Sequence, residues 1–526
     1  MNLKPVDILT RRAGVTVPLS ALRSRDDAGI GDTAALMRLL DWMPSSGLSV
    51  LQLLPLSDLA PKDSCPYTAV SAFALDSAYI SLPDVPEIRD SAPLRSELEA
   101  AMRGPEASRL RASPRVRFGE TRAFKRRFLE KAFPRFEDER GRGGPRTEAF
   151  RAFAEAQSAW LADYALFRAL KEETGWRPWN GWPAGLRDRE PEALAAARAR
   201  LQERIRLHEY LQWLTFEQWA EVRRRAAARG VLLFGDIPFG LNRESADVWA
   251  RAGEYELSAS MGAPPDQYSA TGQAWGLPAY RWAGMEAGGH IWWRRRLRQA
   301  RELYDLIRMD HAVGFFRTWL IYGGKRDSAF DIEGAEPQRE RGRRFFGMCV
   351  EEAAPARVVG EDLGVIPEYV PEVLAELEVP GYRVTRWESD DGVFRDPRGF
   401  PALSVAAHSN HDTSTLATWW REVGQAHRDA YWRMVTGKAE RAPRFSHTVH
   451  RRLIENLYAA GSGLALLLFQ DAFGTRERIN VPATVSARNW TYRVAWNAEE
   501  LSEAAIPAQK TAMLKDLALR TGRLSY

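Results

Sequence analysis

Eight short apolar runs, each followed by polar or charged residues, constrain the fold of this chain more than any other feature of its sequence. Helix-like segments or longer insertions separate most of the runs. Buried parallel strands have continuous apolar sequences, and strands that alternate with helices build parallel sheets. The pattern therefore predicts an α/β fold, a (β/α)8 TIM-type barrel. The predicted strands lie within residues 15–19, 50–56, 231–239, 306–310, 358–362, 383–388, 403–408 and 464–471.

The intervals between the runs predict a single barrel domain over residues 1–526 with insertions, since barrels of this type often exceed about 250 residues. The interval 90–228 is too long for one barrel helix, and its apolar residues recur every three or four positions, which predicts a mainly helical insertion. The interval 258–290 is rich in Gly, Pro, Trp and Tyr and has little periodicity, so we interpret it as an active-site loop insertion. Residues 323–344 form a further small insertion.

Charge and cysteine content argue against several classes of protein. The 74 basic and 69 acidic residues give a net charge of +5, and the arginines are scattered along predicted helices, which is typical of a solvated helix face rather than a nucleic-acid surface. Two distant cysteines, Cys65 and Cys349, fit a reducing compartment. No signal-peptide core is present at the N-terminus, and the longest apolar stretch is too short to span a bilayer. We expect a cytoplasmic monomer or homodimer that binds neither nucleic acid nor a membrane.

Acidic residues follow four of the predicted strands. Catalytic groups of a barrel lie at the carboxyl ends of its strands, so we expect one site to contain Asp236, Asp310, Glu361 and Asp412. No strong metal-ligand pattern accompanies them, and we expect neither a metal nor a cofactor. Two carboxyl groups without a cofactor are what glycoside chemistry requires, because one attacks the anomeric carbon and the other protonates the leaving oxygen.

The spacing of Arg308 and Asp310 predicts which acid is the nucleophile. Residues two apart on a strand face the same side, so the guanidinium is expected to lie beside the carboxylate, keep it ionised and orient it. The partner acid must stay protonated in the resting enzyme and needs a raised pKa, and Glu361 is our candidate. A double displacement predicts that the two carboxyl groups lie roughly 5–5.5 Å apart.

Each of these patterns also has a plainer interpretation. The pair of Arg308 and Asp310 is also compatible with an ordinary ion pair on a strand. The other candidates are of residue types that commonly cap turns, hold loops or pack a core, and they include Asp236, Glu361, His411, Asp412, Tyr67 and Trp275. Their occurrence together at successive strand ends favours one shared site over separate structural roles.

A fixed order of short motifs runs through nearly the whole chain: GIGD at 29–32, LQLLPL at 51–56, PY at 66–67, SAF at 71–73, GDIP at 235–238, SADVW at 245–249, GAPPD at 262–266, GQAWG at 272–276, RMDH at 308–311, EDLGV at 361–365, DDG at 390–392, HDT at 411–413 and RINVP at 478–482. In this order the chain resembles the amylomaltases, or bacterial disproportionating enzymes, which are relatives of the α-amylases. The most specific signal is GAPPD followed by GQAWG, because it separates amylomaltases from ordinary amylases.

The resemblance implies a role for each site residue. Asp310 matches the family nucleophile, Glu361 the general acid/base, and Asp412 the third acid, which holds hydroxyl groups of the sugar at subsite −1. Asp391 matches a further sugar-binding acid. The residues that match the lining of subsite −1 are Arg308, His311, His411, Asp236 and Tyr67. Those that match a mobile loop over the acceptor side are Asp266, Gln273 and Trp275.

The activity that the resemblance implies is that of a 4-α-glucanotransferase, a retaining transferase of carbohydrate metabolism. Such an enzyme moves α-1,4-glucan segments from a donor maltodextrin to the 4-hydroxyl of an acceptor glucose or maltodextrin. Maltodextrin, glycogen and starch are alternative donors, and the sequence does not choose between them. Two alternatives stay open. One is an α-glucan hydrolase with the same site, and the other is a non-catalytic glucan-binding protein, against which the complete set of three acids argues.

Overall fold

The computed structural model describes residues 7–265, 272–323 and 327–524. Its centre is a parallel sheet of eight strands, which confirms the predicted fold class. We label these strands β1 (Arg12–Val17), β2 (Val50–Leu53), β3 (Leu232–Ile237), β4 (Leu306–Met309), β5 (Arg357–Gly360), β6 (Gly381–Val384), β7 (Ser404–Ala407) and β8 (Leu464–Leu468). Each strand overlaps one of the eight apolar runs.

The eight strands curve into a nearly closed barrel. Their order is β6-β7-β8-β1-β2-β3-β4-β5, and all the paired neighbours are parallel. Between β5 and β6, at the two ends of this order, the backbone N–H of Gly360 donates a hydrogen bond to the Pro380 carbonyl at 3.0 Å. Because parallel strands share one direction, their carboxyl ends lie together at one end of the barrel.

Apolar side chains from seven of the strands form one buried cluster with little space around it, and they include Val50, Phe234, Leu306, Val359, Tyr382, Val405 and Leu466. The eighth strand, β1, contributes Gly14 at this point. A Cβ atom at Gly14 would lie 2.6 Å from both the Leu466 side chain and the Val50 carbonyl oxygen. The close approach of the strands therefore requires glycine at this position.

Helices surround the barrel and fill the interval between β2 and β3. Those in that interval are Pro86–Arg89, Ala92–Arg103, Pro105–Ala112, Phe118–Arg142, Pro145–Ala156, Leu161–Glu173, Ala184–Arg187, Pro191–Arg200 and Gln202–Ala228. The others are Thr33–Trp42, Ala246–Ala250, Trp282–Ala287, Ile291–Leu303, Ala335–Ala353, Tyr369–Glu376, Leu416–Glu422, Gln425–Thr436, His447–Tyr458, Phe469–Phe473, Glu500–Glu503 and Ala505–Arg520. Short 3-10 helices span Leu19–Ala21, Met43–Ser46, Ser77–Tyr79, Leu82–Asp84, Trp179–Gly181, Ala252–Glu254, Ala312–Phe315 and Pro397–Gly399.

The helices between β2 and β3 have a hydrophobic cluster of their own, which contains Phe124, Phe128, Phe136, Tyr210 and Trp213. These aromatic rings pack face to face and edge to face, as in the Phe136–Tyr210 pair, whose ring centroids are 4.8 Å apart. The division of the chain into one catalytic barrel domain with insertions at 90–228, 258–290 and 323–344 stays a prediction.

A small antiparallel sheet, which we call the cover sheet, lies outside the barrel. Its strands follow the spatial order Gln273–Tyr280, Tyr255–Ala263, Trp319–Tyr322 and Asp327–Phe330. Two of them, Tyr255–Ala263 and Gln273–Tyr280, fall across or within the interval 258–290, for which the sequence predicts a loop insertion. Their pairing register shifts between Met261 and Gly262, and such a bulge interrupts the alternation by which a strand is recognised in a sequence.

Two further strands, Ser389–Asp390 and Val393–Phe394, form a short hairpin between β6 and β7. Within the described ranges, no helix combines the length and the apolar character needed to cross a membrane.

Candidate active site

Most of the predicted site residues line one cavity beyond the carboxyl ends of the barrel strands. Its volume is about 1000 Å³. A cavity of this size accommodates an extended ligand. The predicted residues that line it are Tyr67, Gln273, Trp275, Arg308, Asp310, His311, Glu361, His411 and Asp412.

Arg308 contacts three carboxyl groups of this site. Its Nη1 donates to both oxygens of Asp236 at 2.8 Å and lies 2.9 Å from Oδ1 of Asp310. Its Nη2 lies 3.9 Å from Oε2 of Glu361. The strands explain this arrangement, because Asp236 on β3 is directly opposite Arg308 on β4, and Asp310 follows two residues after Arg308. Arg308 is buried, so these interactions are only weakly screened by water.

Glu361 follows β5, and its environment favours the protonated form. Its backbone N–H donates to the Met309 carbonyl at 3.0 Å, and its side-chain Oε2 accepts a hydrogen bond from the backbone N–H of His311 at 2.8 Å. Burial raises the pKa of Glu361 to about 8, the charge of Asp310 acts in the same direction, and Arg308 opposes both. A glutamic acid with such a pKa can carry a proton near neutral pH, as a general acid must.

Asp310 presents its carboxyl group to the cavity. One oxygen, Oδ1, contacts Arg308, while Oδ2 accepts a long hydrogen bond of 3.4 Å from the backbone N–H of Phe239. About a quarter of the side chain, 24%, is exposed. Asp310 is therefore oriented by one oxygen and has a second oxygen that a substrate atom can approach, which suits a nucleophile.

His311 forms part of the same wall as a neutral imidazole. Burial lowers its pKa to about 4, although the charge of Asp310 opposes this shift. Its ring meets the edge of Trp275 with centroids 4.9 Å apart, and it also packs on Phe239. A Cβ atom at Gly314 would lie 2.7 Å from the His311 ring, so only glycine leaves room for this ring position.

Tyr67 connects Asp236 with His411. Its hydroxyl donates to Oδ2 of Asp236 at 2.7 Å and lies 3.1 Å from Nε2 of His411, and its ring stacks on the His411 ring with centroids 5.5 Å apart. Asp236 is buried behind this pair, so it supports the cavity wall rather than lining it. Trp490 packs on Tyr67 and His411 at 5.5 and 5.8 Å. The sequence reasoning missed Trp490, and no motif signalled it.

Asp412 is held on a loop by two distant residues. Its Oδ1 accepts a hydrogen bond from Nδ2 of Asn480 at 2.6 Å, and its backbone carbonyl accepts one from Nη2 of Arg478 at 2.7 Å. The side chain remains 40% exposed, and Oδ2 lies 3.5 Å from Nε2 of His411. The role of Asn480 was missed at the sequence level, although the RINVP motif that contains it was recognised.

The remaining predicted residues have different outcomes. Gln273 and Trp275 line the cavity, and Nε1 of Trp275 donates to Oε1 of Gln273 at 3.3 Å. Asp266 lies outside the described residues. Asp391 is exposed in the turn of the hairpin between β6 and β7, in a left-handed backbone conformation with φ of 48°, and it does not line the cavity.

The site as a whole contains three carboxyl groups around one guanidinium, two of which, Asp310 and Glu361, line the cavity, and a neutral histidine. In the described part of the chain, no group of three or more His, Cys, Asp or Glu side chains is arranged to hold a metal ion. On a (β/α)8 barrel, these features define the class of enzymes that act on glycosidic bonds with a pair of carboxyl groups.

Comparison with known proteins narrows this class to a family. A family model described as 4-alpha-glucanotransferase matches residues 17–498. A 4-alpha-glucanotransferase from Chlamydia pneumoniae is 32% identical over 513 residues, covering 93% of this chain and 92% of that protein. The one from Thermus thermophilus is 33% identical over 468 residues, covering 86% and 89%.

A solved structure supports the same assignment. The amylomaltase from Streptococcus agalactiae, determined in complex with acarbose, superimposes with a TM-score of 0.83 at 25% identity and covers 98% of this chain and 100% of its own. The chain belongs to the 4-alpha-glucanotransferase family.

Proposed function

We propose that this chain transfers α-1,4-glucan segments from a donor maltodextrin to the 4-hydroxyl of an acceptor glucose or maltodextrin, with Asp310 as the nucleophile and Glu361 as the general acid/base. The observation that carries the proposal is the contact of both carboxyl groups with Arg308, together with the raised pKa of Glu361. The two carboxyl groups therefore differ in their environments, as acid and nucleophile must.

The first half of the reaction breaks the donor bond. A carboxylate oxygen of Asp310 attacks the anomeric carbon, the bond from that carbon to the glycosidic oxygen breaks, and Glu361 gives its proton to the departing 4-oxygen. The product is a β-linked glycosyl-enzyme and a free shorter sugar. Arg308 remains beside Asp310 and orients the carboxylate for the attack.

The second half forms the new bond. Glu361, now deprotonated, removes the proton of the acceptor 4-hydroxyl, whose oxygen attacks the anomeric carbon and displaces Asp310. Two inversions restore the α configuration. Asp412, His311 and Tyr67 line the same cavity as the two acids and are suited to hold hydroxyl groups of the sugar whose anomeric carbon reacts.

Transfer competes with hydrolysis because water can also attack the glycosyl-enzyme. Gln273 and Trp275, on a strand of the cover sheet, stand over the cavity and reduce access of water while an acceptor binds. The relatives from Chlamydia pneumoniae and Thermus thermophilus are named as transferases, which favours transfer over hydrolysis by the same catalytic residues.

We also propose a donor, an oligomeric state and a location. Maltodextrin, glycogen and starch chains all offer the α-1,4 bond that the mechanism needs. The proposed site residues all come from one chain, so the protein can act as a monomer or as a homodimer. The two cysteines Cys65 and Cys349 are free thiols, which supports a cytoplasmic location. Asp391 and Asp266 remain predicted sugar-binding residues.

Incubation with maltotriose tests the activity itself. We expect glucose and a ladder of maltodextrins longer than maltotriose, because each transfer lengthens one molecule and shortens another. The products are separated by chromatography and followed over time. Glucose and maltose alone would contradict the proposal and identify a hydrolase, whereas intact binding without any product would identify a glucan-binding protein.

Replacing Trp275 with alanine tests the role of the cover sheet. We expect weaker saturation by the acceptor and a larger share of hydrolysis, because the ring beside His311 no longer excludes water or contacts the acceptor. The measurement is the ratio of transfer products to hydrolysis products from maltotriose.

Trp387→Ala is the matched control, since Trp387 is 41% exposed and lies outside the cavity. This variant should keep the wild-type product ratio. Trp275 also packs against the main hydrophobic core. An unchanged product ratio in a well-folded Trp275→Ala protein would reduce its role to that packing.

A further inference from the structure

The cavity wall contains an aromatic pair that the mechanism does not use. Trp319 and Phe330 are directly opposite each other on two neighbouring strands of the cover sheet, Trp319–Tyr322 and Asp327–Phe330. Their ring centroids are 4.8 Å apart and their ring planes meet at 70°. Both side chains are half-buried, and both line the cavity that contains Asp310 and Glu361.

Packing into the core does not account for this pair. Among the residues that the structure describes, neither Trp319 nor Phe330 belongs to a hydrophobic cluster, whereas Trp275 packs against the main one. An aromatic pair that lines a cavity without joining the core presents apolar ring faces to whatever occupies the cavity. The α-1,4-glucan that the enzyme handles has such apolar faces on its sugar rings.

The pair is held firmly in place. The guanidinium of Arg317 lies over the Phe330 ring, with its carbon 4.1 Å from the ring centroid. Asp331, next to Phe330, accepts a hydrogen bond from the backbone N–H of Thr318 at 2.7 Å and forms a two-point ion pair with Arg341 at 2.7 and 3.0 Å. The end of the strand pair that carries Trp319 and Phe330 is therefore held in place before a sugar binds, which lowers the entropic cost of binding.

The position of the pair indicates which part of a glucan it contacts. The 3-10 helix Ala312–Phe315 follows His311 in the chain, and Val313 and Arg317 line the same cavity as Trp319. Trp275, predicted to cover the acceptor side, belongs to the same cover sheet. The aromatic pair thus belongs to the sheet whose residue Trp275 is predicted to cover the acceptor side, which favours the acceptor part of a glucan as its ligand.

We propose that Trp319 and Phe330 form a distal acceptor-side subsite that stacks a remote glucose unit of a long α-1,4-glucan, with Arg317 donating hydrogen bonds to its hydroxyl groups. This inference rests on the proposed transferase function. The cover sheet would then determine the preference for acceptor length, because a long maltodextrin reaches the subsite and glucose does not.

The test measures acceptor binding separately from donor binding. A donor of fixed length, α-maltosyl fluoride, forms the glycosyl-enzyme with fluoride as the leaving group, so the acceptor side is free for glucose or maltohexaose. We expect Trp319→Ala to raise the ratio of the KM for maltohexaose to the KM for glucose about tenfold, the change that loss of one well-packed aromatic contact produces. Transfer rates are measured over a range of acceptor concentrations.

Tyr322→Ala is the matched control. Tyr322 is on the same strand as Trp319 but three residues away, so it faces the opposite side of the sheet, and it is 41% exposed outside the cavity. This variant should keep the wild-type KM ratio. Phe330→Leu, which removes the partner ring and keeps an apolar side chain, should raise the ratio in the same direction as Trp319→Ala.

One result would overturn the subsite: a KM ratio that stays at the wild-type value in folded Trp319→Ala and Phe330→Leu proteins, whether both KM values are unchanged or both rise by the same factor. Calorimetric binding of maltohexaose to Asp310→Asn proteins with and without Trp319→Ala gives a readout that needs no turnover. Weaker binding only in the double variant supports the subsite even if the wild type proves to be a hydrolase, so the two proposals fail separately.

Discussion

Replacing Asp310 with asparagine is expected to lower kcat for maltotriose disproportionation by at least about a thousandfold, since loss of the covalent route should cost about 4 kcal/mol or more of barrier. The amide has nearly the shape of the carboxyl group and still offers an oxygen to Arg308, so fold and glucan binding should persist. Steady-state rates give the loss, and calorimetric titration with maltohexaose shows whether binding is kept.

The control for this substitution is Asp305→Asn, at the opposite end of β4. Asp305 pairs with Arg223 at 2.8 Å and accepts a hydrogen bond from the backbone N–H of Leu233, so its loss affects stability rather than chemistry. At a temperature where both variants are folded, Asp305→Asn should retain turnover. If Asp310→Asn kept more than about one hundredth of the wild-type rate, Asp310 could not be the nucleophile.

The barrel and its pair of acids were predictable because both depend on local patterns. Continuous apolar runs mark strands that are buried on both faces, and all eight strands lie where the runs are. The spacing of Arg308 and Asp310 alone places them on one side of a strand, and the structure has them in contact at 2.9 Å. The raised pKa of Glu361 was also expected, because a general acid must hold a proton while the nucleophile Asp310 is ionised.

The residues that support this pair were not predictable, because their contacts join distant parts of the chain. The double hydrogen bond from Arg308 to Asp236 depends on which strands are neighbours and on their register. Asn480 reaches Asp412, and Trp490 reaches Tyr67, from a loop that no local pattern places near the barrel. Such contacts are set by tertiary packing rather than by the sequence around each residue.

The cover sheet shows a different limit. Glycine and proline residues and a shift of register remove the alternation that identifies strands, so the interval 258–290 looked like a loop. Trp319 and Phe330 are ordinary aromatic residues in the sequence and become a pair only across two strands. Asp391 shows the opposite error. The DDG motif assigned it to the predicted site, but in the structure Asp391 is exposed on a turn.

Replacing Glu361 with glutamine is expected to lower the rate with maltotriose by at least about a hundredfold, the usual contribution of a general acid. The wild-type value of kcat/KM should fall as the pH rises through about 8, because Glu361 must hold a proton to release the 4-oxygen and loses it above that pKa. Glutamine neither gives nor takes a proton in this range, so the alkaline decline should disappear. Rates measured from pH 5 to about 10 test both expectations.

Fluoride as the leaving group separates the two tasks of Glu361. With α-maltosyl fluoride, the carbon–fluorine bond breaks without a proton donor, so the Glu361→Gln variant can still form the glycosyl-enzyme on Asp310. It lacks the base that activates an acceptor, and the intermediate should accumulate as a protein whose mass has increased by one maltosyl unit. The double variant Asp310→Asn/Glu361→Gln is the control and should show no increase. An intermediate that still turns over at the wild-type rate would assign the base to another residue, because the second step would then proceed without Glu361.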